Sequence, residues 1–172
     1  MNRNFIGGEW VDAPAAGPNV NPSDVSDVIG EYARAGAAQA VAAIEAARAA
    51  FPAWSTGSLQ ARADALEKVA GELLARRDEL GNLLSREEGK TLAEGVGEVA
   101  RAGQIFRFFA GEVVRQRGER VASVRPGIDV EVTREPVGVV AIVTPWNFPV
   151  AIPAWKIAPA LAYGNCVVFK PA

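Results

Sequence analysis

Val137 to Ala172 reads VGVVAIVTPWNFPVAIPAWKIAPALAYGNCVVFKPA. This stretch decides the fold, because it strings together an apolar strand, a proline-bracketed turn, a helix and a second apolar strand. Val137, Val139, Val140, Ala141, Ile142 and Val143 lack the polar alternation of a half-solvated strand, so the block suits a parallel strand covered on both faces. The chain then breaks at Thr144, Pro145, Trp146, Asn147, Phe148 and Pro149. A helix is expected from near Pro153, acceptable in a first turn, to Gly164, a suitable C-terminal cap, with a bend at Pro159. Cys166, Val167, Val168 and Phe169 form the second strand, and Lys170 follows it directly. The whole reads as a cofactor-binding βαβ half of a parallel α/β sheet, whose ligands sit beyond the carboxyl ends of the strands.

Upstream, Phe5-Ile6 and Glu9-Trp10-Val11 flank Gly7-Gly8 as a small hairpin, and Asn21-Pro22 signals a turn. Val28, Ile29 and Gly30 with Tyr32 predict a short strand. An Ala-rich helix is expected from Ala37 to Phe51, ended by Pro52. Ser58 is placed to cap a second helix running to about Arg76, and Asp78 restarts a third that Gly89 stops. The clearest helix carries Leu92, Val96, Val99, Gly103, Phe106, Ala110 and Val113 as one apolar stripe, with Glu94, Glu98, Arg101 and Arg107 expected to point away. Glu119 to Arg125, a Pro126-Gly127 turn, and Ile128, Val130 and Val132 alternating with Asp129, Glu131 and Thr133 predict a β-hairpin with one solvated face.

Composition narrows the function classes. The 172 residues are 49% apolar and 22% charged, ordinary for a globular α/β fold. A net charge of −2 with scattered Lys and Arg offers no basic field, so nucleic acid is not expected as a partner. The opening MNRNFIGGEW has no leader pattern and no window approaches a membrane span, so no membrane partner is expected and the cytoplasm is the expected location. With no His and one Cys, neither a metal site nor a Ser/His or Cys/His pair is expected, and Cys166 reads as a small buried hydrophobe.

TPWNFP at 144–149, WKIAPALAYGN at 155–165 and VVFKPA at 167–172 closely resemble the aldehyde dehydrogenase superfamily, whose members oxidise aldehydes to acids with NAD or NADP. FIGGEWVDA at 5–13 and ARRDELGNLLSREEGKT at 75–91 are similar to it as well, and NPSDVSDVIGEYARA at 21–35 looks most like the branch acting on α-ketoglutaric semialdehyde. The resemblance covers essentially the whole chain but only the front of such an enzyme. It implies residues 1–118 as the N-terminal part of the coenzyme-binding domain, with a small hairpin and helices. It implies 119–136 as an oligomerisation hairpin and 137–172 as the first strands and helix of a truncated Rossmann-like NAD(P)-binding domain. The family's nucleophilic Cys, its general-base Glu and its glycine-rich coenzyme turn are expected downstream of Ala172, so the chain is expected to be a fragment that is inactive alone. The alternative is a complete, inactive product that acts as an oligomerisation or interaction module. For the hairpin, the resemblance implies self-association into a dimer or tetramer, against a fold back onto its own domain.

A thiol adduct of an aldehyde develops negative charge on oxygen, and the resemblance assigns Asn147 the donor amide of the oxyanion hole. From the residues alone, Asn147 serves equally as an N-cap for the helix that follows. The resemblance also implies cofactor contacts from Val143, Thr144, Trp146, Asn147 and Lys170, whose ammonium suits ribose or phosphate oxygens. Without it, Trp146 is a core aromatic and Lys170 a solvated charge. Phe148 and Trp155 match positions that border the family's aldehyde tunnel, or are simple packing residues.

Overall fold

The computed structural model describes residues 3–172, so the first two residues of the segment assigned to 1–118 lie outside the described residues. The short hairpin forms as β1 (Asn4–Ile6) and β2 (Glu9–Val11), turning at Gly7 and Gly8, whose φ angles of 62° and 91° admit glycine. A second antiparallel pair, β3 (Ala15–Val20) with β4 (Val28–Arg34), was not foreseen for its first strand, because Gly17 and Pro18 argue against one. Both fit on an open edge. Pro18 pairs in register with Glu31, and bare Gly17 leaves room for Arg34 and Tyr32, whose atoms would stand 2.8 and 3.0 Å from a Cβ there.

Four helices follow: α1 (Ala37–Ser55), α2 (Leu59–Ala75), α3 (Arg77–Glu88) and α4 (Leu92–Val113). The first runs past Pro52, contrary to the expected stop. A proline removes one hydrogen bond from the turn before it, while Pro52's carbonyl still accepts from Thr56 N at 3.3 Å and Thr56 Oγ1 at 2.8 Å. The added turn also docks, since Trp54 Nε1 donates to Leu161 O at 3.1 Å. Ser58 stands at the N-cap of α2 without a side-chain capping bond, and Gly89 ends α3 at a left-handed φ of 86°. Thr91 and Glu94 form a reciprocal capping box at the start of α4.

The last elements are β5 (Glu119–Ala122), β6 (Asp129–Val132), β7 (Val139–Val143), α5 (Ala151–Ala162) and β8 (Cys166–Lys170). The core lies where the α4 stripe meets α2 and α5. Val113, Ala102, Ile105, Phe106 and Ala110 pack with Leu66 and Ala70 and with Ala154, Ala158 and Ala162. Gly103 permits this approach, for a Cβ there would meet Leu74 Cγ at 2.7 Å. Leu92, at the start of the stripe, is exposed, and Glu98, expected to face solvent, is buried.

β7 and β8 are parallel, with Val139 opposite Cys166 and Val143 opposite Lys170, and α5 makes the crossover. Both α1 and α5 pack against the pair. Coverage of both faces is incomplete, because Ala141 and Val143 are exposed while Ile142, on the other face, is buried. Pro159 lies inside α5, and Gly164 follows the helix at a φ of 83°. In the β5–β6 hairpin Val121 faces Val130 on one side and Arg120 faces Glu131 on the other. Both sides are exposed, so the apolar side has no cover among the described residues.

Candidate functional site

The turn after β7 and the start of α5 form one wall of a cleft of about 640 Å³, and the α3–α4 junction forms the other. Asn147, Phe148 and Trp155 line it together with Glu88, Lys90, Glu98 and Arg101. Three of the positions singled out in the sequence therefore meet in one cavity. Val143, Thr144, Trp146 and Lys170 lie elsewhere, at the carboxyl end of the parallel pair, where Val143 and Lys170 are register partners. Trp146 is exposed rather than part of the core.

Asn147 does not cap the helix behind it. The N-cap position is Val150, which makes no side-chain capping bond, and the first turn of α5 holds no acidic residue. The work of a cap is done from another element: Glu98 Oε1 accepts from the amides of Val150 at 2.8 Å and Ala151 at 3.0 Å. The other oxygen, Glu98 Oε2, accepts from Lys90 Nζ at 2.6 Å. Glu98 is therefore buried for a definite reason, its charge being met by an ammonium and two helix amides. Lys90 also pairs with Glu88 Oε2 at 2.8 Å, lies 4.5 Å from the centre of the Phe148 ring and donates to Asn147 O at 3.1 Å. Asn147 is thus fastened by its main-chain carbonyl, and no hydrogen bond of its side-chain amide is found among the described residues.

Lys90, Glu98 and Arg101 were not singled out by sequence reasoning. A signal for Glu98 was present, since the segment Val150 to Trp155 offers no capping side chain of its own at a helix start. Arg101 is exposed on α4 at the cleft and makes no ion pair among the described residues. At the strand ends, Thr144 is 6% exposed and its Oγ1 has no hydrogen-bond partner among the described residues. A buried, unpaired hydroxyl beside an open strand end suits a polar ligand. Cys166 is buried at the far end of β8 from Lys170, and burial pushes its thiol up. No group of acidic, His or Cys residues able to hold a metal is present among the described residues, and no helix among them is long and apolar enough to cross a membrane.

This architecture, with its TPWNFP turn between parallel strands, is that of a known class. The chain matches the aldehyde dehydrogenase family over residues 10–172 and belongs to it. It is 42% identical over 173 residues to the α-ketoglutarate semialdehyde dehydrogenase of Haloferax volcanii, covering 99% of this chain and 36% of that protein. Against the α-ketoglutaric semialdehyde dehydrogenase of Bacillus subtilis it is 44% identical over 172 residues, covering 98% of this chain and 35% of the other. A crystal structure of a betaine aldehyde dehydrogenase variant from Staphylococcus aureus in complex with NAD+ superposes with a TM-score of 0.94 at 35% identity, over 99% of this chain and 35% of that one. The fold is the N-terminal α/β part of an aldehyde dehydrogenase, and the chain spans about a third of the length of these relatives.

Proposed function

We propose that this chain supplies the front part of an NAD- or NADP-dependent aldehyde dehydrogenase acting on a semialdehyde, with Asn147 as the side-chain donor to the oxyanion. The observation that carries this is the state of Asn147. Its main-chain oxygen is bound by Lys90, its expected capping duty is performed by Glu98, and its amide has no partner among the described residues at the rim of the cleft. A donor held by its backbone and not engaged in the ground state can meet charge that develops only during reaction, which is where such a group accelerates chemistry.

Aldehyde oxidation through a thiol adduct needs a thiolate. Cys166 is buried, and burial disfavours its thiolate, so these 172 residues bring no nucleophile of their own and are inactive alone. What they contribute is shape and donors: Phe148 and Trp155 wall the cleft beside Asn147, excluding water from one side of a reacting aldehyde. The dinucleotide, when bound, supplies the hydride acceptor. Val143, Thr144, Trp146, Asn147 and Lys170 would hold it, and they fit that role in an observable way: an unpaired buried hydroxyl, an exposed indole and an ammonium converge on the carboxyl end of β7 and β8.

The cleft's charges support a carboxylate-bearing aldehyde as the substrate class. Glu98 and Glu88 are paired to Lys90 and Glu94 is bound within its capping box, which leaves the Arg101 guanidinium as the cleft cation with no carboxylate partner among the described residues. It would pair with the distal carboxylate of a semialdehyde, in keeping with the activity carried by the names of the Haloferax and Bacillus relatives. The open apolar side of the 119–136 hairpin supports self-association through that element into a dimer or tetramer.

The test is Asn147→Ala in an active enzyme that carries this chain. Turnover should fall by about 10²- to 10³-fold while cofactor affinity changes little. The thermal midpoint should stay put, because the lost amide has no partner among the described residues. A variant with near-normal kcat would end the assignment.

A further inference from the structure

We infer that Lys90 and Glu98 act together as positioning residues for Asn147, clamping the 147–151 segment from both ends so that its donor amide is presented in one orientation. This rests on the proposed role of Asn147 and names a device that serves it. The segment is awkward to hold by local means. Pro149 has no N–H, Val150 has no capping side chain, and α5 opens with apolar residues only. Two groups from the α3–α4 region supply what is missing. Glu98, with its side chain 2% exposed, takes the two helix amides at 2.8 and 3.0 Å, which fixes the backbone downstream of Phe148. Lys90, its side chain 11% exposed, takes the Asn147 carbonyl at 3.1 Å, which fixes the backbone upstream. The 2.6 Å bond between the two charges joins these anchors into a single strut.

The coupling is directional. Neither Lys90 nor Glu98 has a bond to the Asn147 side chain among the described residues, so each acts through the peptide that carries it. Rotation of that peptide would swing the amide away, and a displacement of the order of 1 Å in a reacting geometry costs about 10²-fold in rate. The same strut places the Phe148 ring over the ammonium at 4.5 Å, so the cleft wall next to the donor is set by the same lysine.

A double-mutant cycle in an active enzyme carrying this chain tests the strut. Glu98→Gln is isosteric, keeps an oxygen for the helix amides and removes the charge that holds Lys90. Lys90→Met is combined with it and, because Glu88 also pairs with Lys90, with Glu88→Gln, so that no carboxylate of the strut is left without its ammonium; should this combined variant fail to accumulate as folded protein, Glu98→Gln alone carries the same comparison. The expected result is a fall in kcat of about 10- to 100-fold with KM for the dinucleotide unchanged, and a much smaller fall when the same substitutions are made on an Asn147→Ala background. Additive losses would show that the pair does not act through Asn147 and would overturn the inference while leaving the role of Asn147 intact. An unchanged kcat with a lowered thermal midpoint would reduce the strut to a stabilising contact, and would overturn it too. If Asn147→Ala by itself leaves kcat normal, the assignment of Asn147 fails first, and this inference falls with it.

Discussion

Two glycines of the helical layer should respond to the same substitution with opposite signs. Gly71 in α2 and Gly81 in α3 both sit inside helices, where alanine is favoured by about 1 kcal/mol on intrinsic grounds. At Gly71 nothing outside its own helix lies within 4 Å of an added Cβ, so Gly71→Ala should realise that gain, up to about 1 kcal/mol. At Gly81 the added carbon would stand 2.6 Å from both the Cα and the N of Val96, and those are backbone atoms that cannot rotate away. Ordinary carbon contacts need about 3.5–4.0 Å, so α3 must withdraw from α4 by roughly 1 Å. Overpacking of that kind costs about 1–3 kcal/mol, which offsets the propensity gain and leaves a net loss of up to about 2 kcal/mol. The movement also reaches the cleft, because α3 ends at Glu88 and leads through Gly89 to Lys90. Urea unfolding followed by circular dichroism, on both variants beside the parent, reads the two signs directly, and Gly81→Ala should also lower kcat where Gly71→Ala does not. Midpoints that move in the same direction would refute the reasoning, since the two sites differ only in what the new methyl meets.

Replacing Val130 and Val132 with Lys puts charge on the open apolar side of the hairpin, and light scattering should then report a smaller species than the parent; an unchanged mass would return the hairpin to an intramolecular role. Arg86 grips both oxygens of Asp27 at 2.8 and 2.6 Å and, with the Asn21 amide, holds that carboxyl down at about 2. A depressed carboxylate stabilises the fold above its unfolded value of about 3.9 and loses that contribution as pH falls through the folded value, so the parent should weaken between about pH 4 and pH 2 more steeply than Asp27→Asn; equal acid slopes would contradict this. Arg101→Leu should raise KM for a semialdehyde bearing a distal carboxylate by about 10- to 100-fold, the value of a charge-assisted bond, and leave a neutral aldehyde of equal length almost unaffected; equal losses for both substrates would remove Arg101 from substrate recognition.

What could be read in the sequence depended on whether the cause was local. The 3.6-residue spacing of Val99, Phe106, Ala110 and Val113 is a property of one helix, and those residues are in the core. Gly89 ends α3 and Gly7-Gly8 turns the first hairpin for equally local reasons of φ. The misses were tertiary. Pro52 was expected to stop α1, but the turn beyond it is secured by an indole bond to Leu161, more than a hundred residues along the chain. β3 contradicts strand propensity at Gly17 and Pro18, and both are accepted because its neighbour's large side chains lean over the one and an open edge suits the other.

The cleft shows the same division more sharply. Asn147, Phe148 and Trp155 were found because a fixed run of residue types marks them, and that run says what is present at each position, not what holds it. On its own the run left Asn147 divided between capping a helix and serving a reaction. The position of Glu98 removes the capping reading, because its carboxylate already accepts from the Val150 and Ala151 amides at the start of α5. Glu98 lies 52 residues before Val150 in sequence and was placed on the outer face of its helix by a pattern that counts charge as exposed. The pattern fails there for a physical reason: a carboxylate that meets an ammonium and two oriented amides loses little by leaving water, so a single polar position inside an otherwise apolar contact can be the most constrained residue of the interface. A charged residue on α4 that falls between the core stripe and the solvent, opposite a helix start with no cap of its own, is therefore the signature to look for, and in this chain it leads to Asn147, whose side-chain amide has no partner among the described residues.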